Sequence, residues 1–274
     1  MMTQSPSALF AGLSDRPRMP ALFVGHGNPM FAIEDNDYTR AWREVGRALP
    51  RPRAILAVSA HWMTRGRTLV HVGETPRTIH DFGGFPEALY ACRYPAAGAP
   101  AVAGEIIDLV RTHAVEPDRD WGLDHGTWAI LTHMFPDADV PVLQVSVDQD
   151  LAAAPRHFLD LGTALAPLRD QGVLILASGN LVHNLRAMDW SGGPPHDWAQ
   201  AFDSDVAAAI AERDLDRLCD PARFGKAARL AHPTWDHYWP MLFALGAAES
   251  GDDIRFFNAS IDMGSISMRS FLVA

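Results

Sequence analysis

At 274 residues the chain is long enough for one large α/β domain that buries about three-quarters of its unfolded surface. A formal net charge of -10 leaves no basic face for a phosphate backbone or an anionic membrane, which excludes nucleic acid and membrane surfaces as partners. The 2 cysteines, Cys92 and Cys219, stand in no CxxC arrangement. That excludes a disulfide framework and a thiolate zinc site and points to a reducing, cytoplasmic setting.

Residues 1–18 hold one short apolar patch with no basic residue before it, too little for a signal peptide, and read as a flexible N-terminal extension before a domain over 19–274. No stretch approaches the roughly 20 apolar residues of a membrane span. Ala21 to Val24 is a first buried strand, and His26 follows it between Gly25 and Gly27. The glycines permit positive φ and leave room beside the imidazole. A dinucleotide-binding GxGxxG is the weaker reading of this stretch, because its third glycine would fall on Met30 and Pro29 occupies the phosphate-facing turn.

Apolar spacing at Tyr38, Trp42, Val45 and Leu49 predicts a helix over 36–49, stopped by Pro50 and Pro52. The apolar run 53–60 is a second strand that delivers His61 and Trp62 at its end. A third run, 68–72, leads into a Gly- and Pro-rich loop carrying His80-Asp81-Phe82-Gly83-Gly84-Phe85-Pro86. Such polar and aromatic loops line pockets. Helix is expected over 101–113, and the turn 121–128 opens another helix that runs to about Phe135.

Residues 140–147 form a buried strand, 152–168 a helix, and 172–179 a strand that runs out through Asn180 to His183. Helices are expected over 198–218 and 234–245, separated by Ala231-His232-Pro233, with a last strand at 254–258 and a polar tail from Ser260. Strands alternating with helices predict a single α/β domain whose central sheet, mainly parallel or mixed, is flanked by helices on both faces. Ligands collect outside the carboxyl ends of such strands, where His26, His61 and His183 would converge.

Of 12 histidines, His71, His113, His133, His157 and His196 lie in ordinary helix or strand contexts. His26, His61 and His183 follow buried strands, and His237 opens a helix behind Pro233. Imidazoles without thiolates suit Zn, Fe or Cu better than Mg or Ca, and three or four of them around one ion describe a catalytic site with an open position. A nucleophilic alternative lacks support: GxSxG and HExxH are absent, and Ser59 and Ser178 read as small turn residues.

Taken together, Gly25-His26-Gly27-Asn28-Pro29-Met30, Ser59-Ala60-His61-Trp62, the His80 loop, Leu123-Asp124-His125-Gly126-Thr127-Trp128, Ser178 to Leu185 and Ala231 to His237 form an ordered series. In this the chain resembles the class III extradiol ring-cleavage dioxygenases, within them the group similar to 4,5-DOPA dioxygenases. The resemblance implies one divalent metal ion per chain, Fe(II) for catalysis, and O2-dependent opening of a small catechol to a muconic semialdehyde-type acid. His26, His61 and His237 would be ligands, and His183 either a further ligand or the acid/base. His125 would donate to bound oxygen or to the substrate hydroxyl. Asp236 stays open as the third ligand in place of His237.

His80, Phe85 and Trp62 are expected against substrate, although core packing explains the aromatics Trp62, Phe82, Phe85, Trp128 and Tyr238 equally well. An all-imidazole site does not exclude zinc, so Zn(II) is expected in the isolated protein. Two departures stand out. Asn180 and Val182 replace the family's serine and threonine before His183, which bears on substrate fit, and the residues before Met19 look like an extension or an early start. A zinc hydrolase using His125 or His183 as proton shuttle, and a non-catalytic binding protein, remain the alternatives. Self-association stays open.

Overall fold

The central strands are apolar on both sides. Ala21 and Phe23 pack into one core cluster while Leu22 and Val24 pack into another. The same alternation sends Leu56 and Ile175 to the first cluster and Ile55 and Leu174 to the second. Side chains on a strand point alternately to opposite faces, so each of these strands needs a cover on both. The computed structural model, which describes residues 10, 12–14 and 18–274, supplies it with helices.

In chain order the strands are β1 (Ala21–Gly25), β2 (Ala54–Thr64), β3 (Thr68–His71), β4 (Arg77–Thr78), β5 (Val115–Asp118), β6 (Gly122–Leu123), β7 (Val142–Asp148), β8 (Val173–Gly179), β9 (Ile254–Phe257), β10 (Ile261–Asp262), β11 (Ile266–Ser267) and β12 (Ser270–Val273). The helices are α1 (Asp37–Ala48), α2 (Glu87–Tyr90), α3 (Pro100–Leu109), α4 (His125–Met134), α5 (Arg156–Leu165), α6 (Asp197–Ala211), α7 (Leu215–Leu218), α8 (Lys226–Ala231) and α9 (Trp239–Gly246). The main sheet runs β5-β3-β7-β2-β8-β1-β12-β9. Its middle, β7-β2-β8-β1, is parallel, whereas β12 and β3 join antiparallel on either side. Helices α3, α5, α6 and α9 cover one face through residues such as Ile106, Leu161, Phe202 and Leu242, and α1 and α4 cover the other through Trp42, Val45 and Ile130.

The mixed α/β fold is as expected, and several boundaries differ for identifiable reasons. The strand over 254–258 is not the last: β12, from the apparently polar tail, inserts between β1 and β9. The helix expected over 198–218 breaks where Arg213 takes a φ of 55°. The helix expected from 152 starts only after Pro155, and the one expected from 234 starts at Trp239, which leaves His237 in the turn before α9. Most of the expected N-terminal extension lies outside the described residues; within it Phe10 packs edge-on against Phe257 with ring centroids 5.5 Å apart. No helix among the described residues is long and apolar enough to cross a membrane.

Candidate active site

Strand register brings the histidines to one level. Gly25 pairs with Gly179 and Ser59 with Ser178, so the chain leaves β1, β2 and β8 along the same edge of the sheet. His26 steps off β1, and its backbone N–H donates to Gly179 at 3.2 Å. Gly27 follows with a φ of 62°, and a Cβ there would meet Met268 Sδ at 2.6 Å, so both conformation and space require glycine. Asn28 then accepts from the Met30 N–H and caps the short turn that Pro29 opens. In β2, Val58 pairs with Val145 but Met63 with Val147, so residues 59–62 bulge. Bulges re-aim side chains, and this one carries His61 into the site.

The hydrogen bonds fix the ring tautomers. Ser178 Oγ donates to the Gly126 carbonyl at 2.5 Å, so it accepts from His26 Nδ1–H at 2.9 Å. His61 Nδ1 faces Asp81 Oδ2 at 3.1 Å, and His237 Nδ1 donates to Asp236. In the neutral imidazoles each Nδ1 therefore has an acceptor for its proton, and each Nε2 is left with its lone pair. Those of His26 and His61 face each other at 3.1 Å, and that of His237 is buried with no hydrogen-bond partner among the described residues. Ligand atoms of these three residues lie within 4.8 Å of one another. Converging lone pairs repel unless a cation stands between them, so this donor set fits a metal ion, with carboxylate and hydroxyl partners behind the imidazoles as metal sites require.

Electrostatics agree. Burial and the neighbouring imidazoles hold His26 well below its ordinary pKa, and burial holds His237 down at about 4 despite Asp236. Both stay neutral, the form that binds a metal. His61 differs: burial opposes its charge, but the bond to Asp81 and the fields of Asp124, Asp81 and Asp236 outweigh that and raise it. A proton on His61 Nε2 is thus the stand-in that relieves the contact with His26 when no metal does. Asp236, engaged with His237 Nδ1, backs the histidine and leaves Nε2 to face the site.

Asp81 also accepts from His125, through Nδ1 at 2.9 Å and the backbone N–H at 3.0 Å. Sequence reasoning gave Asp81 no role; its only signal was its place in the His80 loop. Behind it, Asp124 accepts from Ser59 at 2.7 Å and from Gln144 at 2.8 Å and fixes the floor of the site. His183 lies flat on His237. All five histidines, 26, 61, 125, 183 and 237, line one cavity of about 560 Å³. Its apolar lining includes Phe82, Phe85, Leu185, Met188 and Trp190.

Of the three side chains expected against substrate, Phe85 lines this cavity, and Trp62 and His80 do not. Trp62 is adjacent to His61 in β2, so it takes the opposite side and stacks on Trp121, with centroids 5.5 Å apart and planes at 4°. His80 stands behind Phe82, with Nε2 directed at the Cys92 carbonyl at 3.2 Å. His133 and His196 likewise spend Nε2 on backbone carbonyls, those of Phe31 and Ala187.

Residues 19–263 match the family described as the catalytic LigB subunit of aromatic ring-opening dioxygenase. The chain is 48% identical to a 4,5-DOPA dioxygenase extradiol of Escherichia coli (strain K12) over 261 residues, covering 92% of this chain and 94% of the relative. It is 38% identical to a 4,5-DOPA dioxygenase extradiol of Beta vulgaris over 256 residues, covering 91% and 94%. The crystal structure of an uncharacterized protein from Escherichia coli K12 superposes with a TM-score of 0.81 at 41% identity, covering 94% of this chain and 100% of that one. With the histidine-lined cavity at the carboxyl edge of the sheet, these matches place the chain in the LigB family of aromatic ring-opening dioxygenases, as an extradiol ring-cleavage enzyme.

Proposed function

We propose that the protein holds one divalent ion on Nε2 of His26, His61 and His237, iron(II) in the working enzyme, and opens the ring of a DOPA-like catechol with O2. The observation that carries this is the convergence of three Nε2 lone pairs whose Nδ1 atoms are all committed elsewhere. The ion supplies positive charge and open positions at which catecholate and O2 become neighbours. Asp236 is occupied by His237 Nδ1, which supports His237 over Asp236 as ligand.

The chain's own residues do the rest. Asp81 fixes the tautomer of His125, leaving Nε2 to meet a substrate hydroxyl or bound oxygen. Burial and the neighbouring His237 keep His183 well below its ordinary pKa, so it is neutral at pH 7 and able to take the second catechol proton and later return it. Phe82 and Phe85 give the planar ring an apolar wall. DOPA as substrate is supported by the names of the relatives from Escherichia coli and Beta vulgaris. The product is a muconic semialdehyde-type acid containing both atoms of O2. Zinc competes for an all-imidazole set and is expected in protein isolated without added iron. Cys92 and Cys219 are both free thiols, in keeping with a cytoplasmic setting.

Oxygen uptake by protein reconstituted anaerobically with iron(II), with DOPA, protocatechuate and caffeate in turn, tests the reading. Uptake with a yellow product, lost in His26→Ala and His61→Ala, is expected. A fully loaded protein that consumes no O2 with any catechol would sink it.

A further inference from the structure

The cavity carries a charge asymmetry that ring cleavage does not use. Among the described residues, no lysine or arginine lines it. Three carboxylates do: Asp81, Asp236 and Asp262. The first two are committed, Asp81 to His61 and His125 and Asp236 to His237, and these bonds, against the opposing effect of burial, hold both well below the usual carboxylate range. Asp262 behaves in the opposite way. It is half-buried, the Met263 backbone N–H is the hydrogen-bond donor to its side chain among the described residues, and burial raises it above its ordinary value.

Its placement is fixed. Asp262 ends β10 opposite Ile266 of β11, so the two side chains share a face, and both line the cavity. The turn between them is tied down by the Asp189 N–H on the Met263 carbonyl at 2.8 Å and the His196 N–H on the Gly264 carbonyl at 3.0 Å. A partly desolvated carboxylate with no lysine or arginine beside it in the cavity lining suits a ligand that brings its own positive charge.

We propose that Asp262 is the subsite for a cationic amine on the substrate side chain. The enzyme then takes catechols with an aminoalkyl chain and discriminates against catechols whose chain carries only a carboxylate. The inference rests on the dioxygenase reading for its catechol and adds the determinant of the side chain. It makes Asp262 a specificity residue, separated from His183 by Ile266, which pairs with both, and with no part in the proton transfers assigned to His125 and His183.

The test uses iron(II)-loaded protein and four probes that differ only in the side chain: dopamine, DOPA, dihydrocaffeate and para-ethylcatechol. Oxygen uptake gives kcat and KM, and anaerobic calorimetry gives Kd. Dopamine and DOPA are expected to exceed dihydrocaffeate in kcat/KM by about tenfold or more. In Asp262→Asn the ratio of dopamine to ethylcatechol efficiency should fall by about the same factor, through KM rather than kcat. Asp262→Glu, which keeps the charge, should retain most of the preference. Dihydrocaffeate matching dopamine in the unaltered protein, or an unchanged amine preference in Asp262→Asn, would overturn the proposal. If no catechol, ethylcatechol included, consumes O2, the dioxygenase reading fails, and the ratio of anaerobic Kd values still decides the subsite.

Discussion

The imidazole of His183 lies flat on that of His237, with ring centroids 3.4 Å apart and planes 6° from parallel. In-plane lone pairs of parallel rings do not meet at one ion, which supports the proposed role of His183 as a proton-transfer group beside the histidines proposed to hold the metal. His183→Gln should therefore keep a full equivalent of metal by elemental analysis while kcat falls about a hundred- to ten-thousandfold. Loss of metal in that variant would make His183 a ligand instead.

Asp81 is the joint of the site, since one oxygen, Oδ2, accepts from Nδ1 of both His61 and His125. An amide there cannot accept both N–H groups with the charge they now meet. Asp81→Asn should lower metal affinity about ten- to a hundredfold in a competition titration, the range seen when a carboxylate behind a ligating histidine is removed. Unchanged affinity would assign Asp81 to His125 alone.

Protons and metal compete at His61. In the metal-free protein Asp81 and the other carboxylates outweigh burial and raise His61 above its ordinary pKa of 6.5, whereas His26 and His237 stay neutral there. On the proposed ligation a metal ion displaces the His61 proton. Affinity should fall as pH drops through the raised pKa and level off above it, where the proton has already gone. Calorimetry of metal binding in buffers of different ionisation enthalpy should record proton release near pH 6.5 that vanishes in His61→Ala.

Gly126 sits under the site, and a Cβ on it would lie 2.5 Å from Ser59 Oγ and 3.1 Å from His61 Cδ2. Gly126→Ala has to push one of them aside, at a cost of about 1–3 kcal/mol. A lower Tm together with weakened metal binding is expected in thermal melts with and without metal. A variant of unaltered Tm and metal affinity would contradict the packing described.

His26, His61 and His183 were legible because each follows a buried apolar run that ends in small residues, as in Gly25-His26-Gly27 and Ser59-Ala60-His61, and such punctuation marks a strand end. The roles of Asp81 and Asp262 were not. Each acts across long sequence separations, on His61 and His125 or into the cavity beside Ile266, and nothing local distinguishes them from solvated loop carboxylates. Trp62 was misplaced for want of strand alternation: adjacent residues on a strand cannot both face one cavity. Strand β12 was hidden because Ser270 and its polar neighbours look like a tail until β1 and β9 bury them on both sides. That is tertiary context overriding local pattern.

The central claim is that three imidazoles hold an ion at which both atoms of O2 enter a catechol. Isotopically labelled O2 tests it most directly, with DOPA turned over by the iron(II)-loaded protein, the aldehyde trapped by reduction as it forms, and the product weighed by mass spectrometry. Two labelled oxygen atoms in the ring-opened product are expected. A product labelled only from water, or an intact ring after O2 exposure with metal fully bound, would contradict the account.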